Sequence, residues 1–153
     1  MQRTFCNFRV AFLLCATLVC STVLHATGSI TLKTVTPEEL LRAMQAKNSG
    51  KPLLFFVGPR LLYAQAHIVG AELIGQGSTP EGIQNLRQRA RNLRKNTPIV
   101  LYCGCCPWNH CPNVDPAYRA LQELGFTGVK VLHLPNNFGT DWVDKGFPIA
   151  RGE

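Results

Sequence analysis

Cysteine is absent between Cys20 and Cys103 and again after Cys111, so no pair is available to staple distant parts of the chain. The fold must be held by its core, which excludes the disulfide-framework domains. Internal repeats, linkers and low-complexity tails are missing too, and nothing divides the chain into two globular units. The aromatic interleaving, zinc-finger spacing and RNA-binding signatures of nucleic-acid proteins are lacking, so no nucleic-acid partner is expected. There is no Cys-x-x-Cys-His for a c-type haem, and no cofactor or resident metal is expected. No apolar run is long enough for a membrane span: the longest, Val10 to Leu24, falls short of the roughly 20 residues a bilayer requires.

That run has the form of a secretory leader instead. Arg3 and Arg9 precede it, and Leu24-His-Ala26 and Ala26-Thr-Gly28 supply small-residue cleavage sites. Residues 1–26 are expected to be a signal peptide. The exported chain should start near Thr27 or Ser29, act in the periplasm or outside the cell, and have no membrane anchor. Cys6, Cys15 and Cys20 leave with the leader, so the mature chain keeps only Cys103, Cys105, Cys106 and Cys111. Residues 27–153 then form one domain with an ordinary core, expected to be monomeric. Of 16 Lys and Arg, 14 lie outside the leader, against 9 Asp and Glu. A basic balance of this size suits a small anionic partner.

What is present is concentrated in Ile99-Val-Leu-Tyr-Cys-Gly-Cys-Cys-Pro-Trp-Asn-His-Cys-Pro-Asn113. Ile99 to Tyr102 is apolar without alternation, the pattern of a strand buried on both faces of a parallel sheet, and Cys103 ends it. From Asp115 or Pro116, the spacing Ala117, Ala120, Leu121, Leu124 with Gly125 as stop predicts a helix. The loop therefore joins a strand's carboxyl end to a helix's amino end, where free N–H groups and the helix dipole favour an anion. On that ground Cys103 is expected to be the thiolate and the nucleophile, with Gly104 beside it allowing a sharp turn.

The rest of the chain supplies the frame. Thr36-Pro-Glu-Glu39 is a capping box opening a helix. Leu53 to Val57 reads as a second buried strand, Leu61, Leu62 and Ala64 as a helical turn, and Glu72 to Ile74 as a short strand. Thr79-Pro80 starts a helix whose buried stripe is Ile83, Leu86, Ala90 and Leu93, with Arg87, Arg91, Arg94 and Lys95 on a solvated face. Val129 to Leu134 is the next strand. Alternating strands and helices imply an α/β fold with a mostly parallel sheet covered on both faces. His67 and His133 read as structural, and Trp142 as core.

In their order and spacing these pieces resemble the rhodanese-like domain family. The matching features are His67-Ile-Val-Gly-Ala71, the strand ending Tyr102-Cys103, the helix closing in Leu124-Gly-Phe126, the strand from Val129, and Trp142 followed by Gly146-Phe-Pro-Ile149. The resemblance implies a three-layer domain with a central five-stranded sheet. It also implies an activity in which Cys103 takes sulfane sulfur from thiosulfate or a persulfide as a cysteine persulfide and passes it to a thiol or cyanide. The chain departs from the family where many members carry Asp and Arg around the strand-end valine: Phe56 and Gly58 stand there. Its active-site loop is also longer than usual, with Trp108 at the position of the customary arginine.

The loop makes Gly104, Cys105, Cys106, Trp108, Asn109, His110 and Cys111 the candidates for cradling substrate, because all of them supply backbone N–H groups to an anionic sulfur. Its extra thiols leave two other chemistries open. Cys103 paired with Cys106 or Cys111 is a dithiol couple for thiol redox or persulfide relay. Four thiols and His110 also suit Cu(I) better than zinc, whose structural sites draw ligand pairs from separate turns.

Overall fold

The computed structural model describes residues 31–47 and 50–152; the expected signal peptide and its cleavage sites lie outside them. In chain order the elements are β1 (Thr34–Val35), α1 (Pro37–Gln45), β2 (Leu53–Phe56), α2 (Arg60–Gln65), β3 (His67–Ile68), β4 (Ala71–Leu73), α3 (Pro80–Ala90), β5 (Ile99–Tyr102), α4 (Val114–Glu123), β6 (Val129–Leu132) and β7 (Ile149–Ala150). Five strands form one sheet in the order β1-β6-β5-β2-β4, and every neighbouring pair is parallel. β3 and β7 pair antiparallel. No described helix is long and apolar enough to cross a membrane.

The two faces of the sheet bury two separate clusters, which is why its strands are apolar without alternation. Phe55, Val57, Ile99, Leu101, Val129 and Val131 pack with Leu86 and Ala90 of α3 and with Ala117, Tyr118 and Leu121 of α4. Leu54, Phe56, Val100, Tyr102 and Leu132 pack on the other face with Leu40 of α1, Tyr63 of α2 and Trp142. Fully burying one such side chain contributes about 1.5–3 kcal/mol. Side chains alternate along a strand, so the series Ile99, Leu101, Cys103 delivers the Cys103 sulfur to the α3 and α4 face.

Local signals set the helix starts. Glu39 N–H donates to Thr36 Oγ1 at 3.2 Å while Thr36 N–H donates to Glu39 Oε2 at 2.9 Å, completing the capping box. Gly82 N–H donates to Thr79 Oγ1 at 3.1 Å at the start of α3. Some boundaries differ from the sequence reading. α3 ends at Ala90, so Arg94 and Lys95 are not on its face; Lys95 Nζ lies over the Phe126 ring instead, 4.5 Å from its centroid. β6 ends at Leu132, which puts His133 just beyond the sheet, and α4 begins at Val114.

Candidate functional site

Cys103 follows the last residue of the central strand and is 2% exposed. Its neighbour Gly104 has φ +72°, and a Cβ there would lie 2.5 Å from Phe138 Cβ, so both backbone angle and space demand glycine. The Gly104 carbonyl accepts the Phe138 N–H at 3.1 Å, tying the loop to the segment after β6. Gly58 matters for the sulfur itself. A Cβ at this position would stand 2.8 Å from Cys103 Sγ and 2.7 Å from Phe56 Cζ. The absence of a side chain at 58 is thus what leaves room for the Cys103 sulfur.

The loop brings three sulfurs together. The Sγ atoms of Cys103, Cys105 and Cys111 lie within 4.8 Å of one another, with Cys103 and Cys105 at 3.2 Å. Cys106 Sγ is 3.1 Å from Cys105 Sγ but outside that trio, and its own S–H donates to the His110 carbonyl at 3.4 Å.

The protonation pattern corrects the expectation that Cys103 is the most stabilised thiolate. Cys111 is pulled down to about 5, first by the hydrogen bond from Cys103 and then, against the cost of burial, by the N–H groups of Asn113 and Val114. Cys103 is pushed up, first by donating to Cys111, then by burial and by repulsion between the two charges. Cys106 is also raised, by desolvation and then by its hydrogen bond to Cys105. The physical reason is position. Besides the Cys103 hydrogen bond, the free N–H groups at the amino end of α4 meet Cys111, three residues before the helix, and not the cysteine at the strand's end.

Asn113 completes the cluster, and the sequence reading gave it no role. This residue precedes α4 without capping it through its side chain. It is 2% exposed, and its Nδ2 donates to Cys103 Sγ at 3.4 Å and approaches Cys105 Sγ at 3.9 Å. Its Oδ1 accepts from Ser78 N–H at 3.1 Å and Ser78 Oγ at 2.8 Å. The one local signal was an asparagine at a helix start whose amide has work elsewhere.

Cys103, Gly104 and Cys105 line a cavity of about 280 Å³ with Phe56, Leu62, Gln65, Ala66, Asn137, Phe138, Gly139 and Val143. A larger concavity of about 660 Å³, bordered by Ile83, Arg87, Arg91 and Lys95, has no cysteine among its described lining residues. Of the other candidates, Asn109 and His110 are exposed and Trp108 is half-buried. Trp108 lies edge-on to His133, ring centroids 4.7 Å apart, and its backbone N–H donates to the Pro135 carbonyl at 3.2 Å. The structure brings none of these three into the lining of the Cys103 cavity. His67 is structural: its ring stacks on Tyr63 at 3.7 Å, and its Nδ1 is 2.8 Å from the Tyr63 carbonyl. Trp142 is fully buried and donates to the Pro148 carbonyl at 3.0 Å.

Residues 36–134 match the family model described as "Rhodanese-like domain". Solved structures share the fold. The Alr3790 protein from Anabaena sp. is 21% identical, with a TM-score of 0.57, 77% of this chain and 92% of that one covered. The BH2092 protein from Bacillus halodurans is 20% identical, with a TM-score of 0.60 and coverages of 78% and 77%. The single-domain sulfurtransferase RDL2 from Saccharomyces cerevisiae is 14% identical, with a TM-score of 0.55 and coverages of 77% and 94%. None of the curated proteins matches the sequence significantly.

Proposed function

We propose that this chain, which belongs to the rhodanese-like domain family, is an exported sulfurtransferase carrying sulfane sulfur as a persulfide on Cys103. The observation that carries the reading is Cys103 itself, which lines a cavity with Gly104 and Cys105 and whose sulfur fits only because position 58 lacks a side chain. RDL2, a sulfurtransferase by name, has the same fold in a single domain. The export part rests on the leader sequence, and the enzyme is taken to act as a monomer.

In the loading step the Cys103 proton passes to the Cys111 sulfur beside it, and the Cys103 sulfur attacks the outer sulfur of the donor. The donor's S–S bond breaks, and its electron pair leaves on sulfite from thiosulfate, or on a thiolate from a persulfide. Cys103 then holds an anionic S–S group that Asn113 Nδ2 and the loop N–H groups solvate. In the second step an acceptor thiolate or cyanide attacks the outer sulfur and releases Cys103, which recovers its proton. Phe56, Leu62, Ala66, Phe138 and Val143 make the cavity apolar, and neither lysine nor arginine is among its described lining residues. A dianion such as thiosulfate gains little there, so a persulfide is the preferred donor.

The test is tandem mass spectrometry of the reduced, metal-free exported form after glutathione persulfide or thiosulfate. One added sulfur on Cys103, absent from Cys103→Ser and faster from the persulfide, is the expected result. Sulfur on Cys105, Cys106 or Cys111 at the parent rate when Cys103 is replaced overturns the assignment.

A further inference from the structure

We propose that Cys103, Cys105 and Cys111 also form a three-thiolate site for a soft monovalent metal ion, Cu(I). The three sulfurs already lie within 4.8 Å of one another. A trigonal ion with bonds of about 2.3 Å needs sulfurs about 4 Å apart, so the 3.2 Å between Cys103 and Cys105 has to open by less than 1 Å. Cys103 directly follows the end of β5, Cys105 lies in the loop, and Cys111 closes the short turn Trp108–His110, three residues before α4. The loop's path between β5 and α4 thus gathers the three sulfurs.

The donor set is all sulfur, without carboxylate or imidazole. Such a set selects Cu(I) over hard divalent cations. Tetrahedral zinc needs a fourth ligand, and Cys106 falls outside the trio with its S–H on the His110 carbonyl. A second shell is in place as well. Buried Asn113 reaches Cys103 and Cys105 through Nδ2, and Ser78 fixes its orientation from the other side. Each Cu–S bond forms on a thiolate, so a proton goes to solvent from every sulfur of the three that still carries one; copper stays Cu(I), and no electrons are exchanged. Cys103 cannot hold sulfur and metal together, so bound Cu(I) blocks sulfur loading, but the metal site does not depend on that activity.

The experiment is an anaerobic titration of the reduced full-length exported form with Cu(I) against bathocuproine disulfonate, followed by the ultraviolet thiolate-to-copper band. Circular dichroism confirms that each variant is folded. The parent and Cys106→Ser should retain one Cu(I) per chain. Cys103→Ser, Cys105→Ser and Cys111→Ser should lose it, and Asn113→Ala should bind about 10-fold or more weakly. Equal retention by all four single-cysteine variants, or dependence on Cys106 in place of Cys105, overturns the site. So does a parent that yields its copper to the chelator. Sulfur loading is measured on metal-free protein, so its failure leaves the copper result standing, and the reverse also holds.

Discussion

The side-chain amide of Asn113 reaches across 3.4 Å to the Cys103 sulfur while the N–H groups at Asn113 and Val114 hold Cys111. One helix start thus serves two sulfurs, and Cys111 is pulled down first by the Cys103 hydrogen bond and then by these N–H groups. Replacing Asn113 by alanine removes the amide from Cys103 and leaves both Ser78 donors without their acceptor. A loss of about 1–3 kcal/mol is expected, measured by urea denaturation, together with slower sulfur loading of Cys103. Ser78→Ala should lower stability less, because it removes only one of the two donors to Oδ1.

Position 58 is the steric gate of the sulfur. Gly58→Ala puts a Cβ where the Cys103 Sγ and the Phe56 ring already approach to 2.8 and 2.7 Å. The expected outcome is a loss of about 1–3 kcal/mol from overpacking and a fall in Cys103 alkylation rate, followed by peptide mass spectrometry. An unchanged rate with an unchanged melt refutes the gate.

The pH dependence follows from Cys111. Its folded-state value of about 5 lies below the ordinary thiol range, so its contribution to stability is complete above that range and disappears as pH falls toward 5. Under reducing conditions the Tm gap between parent and Cys111→Ser should therefore widen from pH 5 to pH 8. A gap that stays constant or narrows over that window contradicts the assignment. Iodoacetamide at pH 6 should label Cys111 before Cys103 in metal-free protein, since the thiolate is the reacting form.

The loop is not what holds the domain together. Replacing Cys103, Cys105, Cys106 and Cys111 by serine should leave the circular dichroism spectrum intact and the melt cooperative, at a lower Tm. The two buried clusters are built almost entirely from the other strand and helix residues. Loss of secondary structure in that variant means the sulfurs are structural.

The sequence alone determined what depends on near neighbours. The Thr36 and Glu39 capping box, the uninterrupted apolar strands, the Pro80 helix start and the place of Cys103 at a strand's end all follow from residues a few positions apart, because backbone hydrogen bonding and side-chain periodicity are local. The parallel sheet followed from the alternation of such elements. Only the tertiary structure decided which sulfur carries the charge, since that depends on where the amino end of α4 falls relative to Cys103 and Cys111. Only it set Gly58 against Cys103, Phe138 against Gly104, and Ser78 against Asn113, contacts between segments that the sheet order brings together. Trp108, Asn109 and His110 show the converse: membership of the reactive loop placed them near Cys103 in sequence, yet the chain's path carries them away from its cavity.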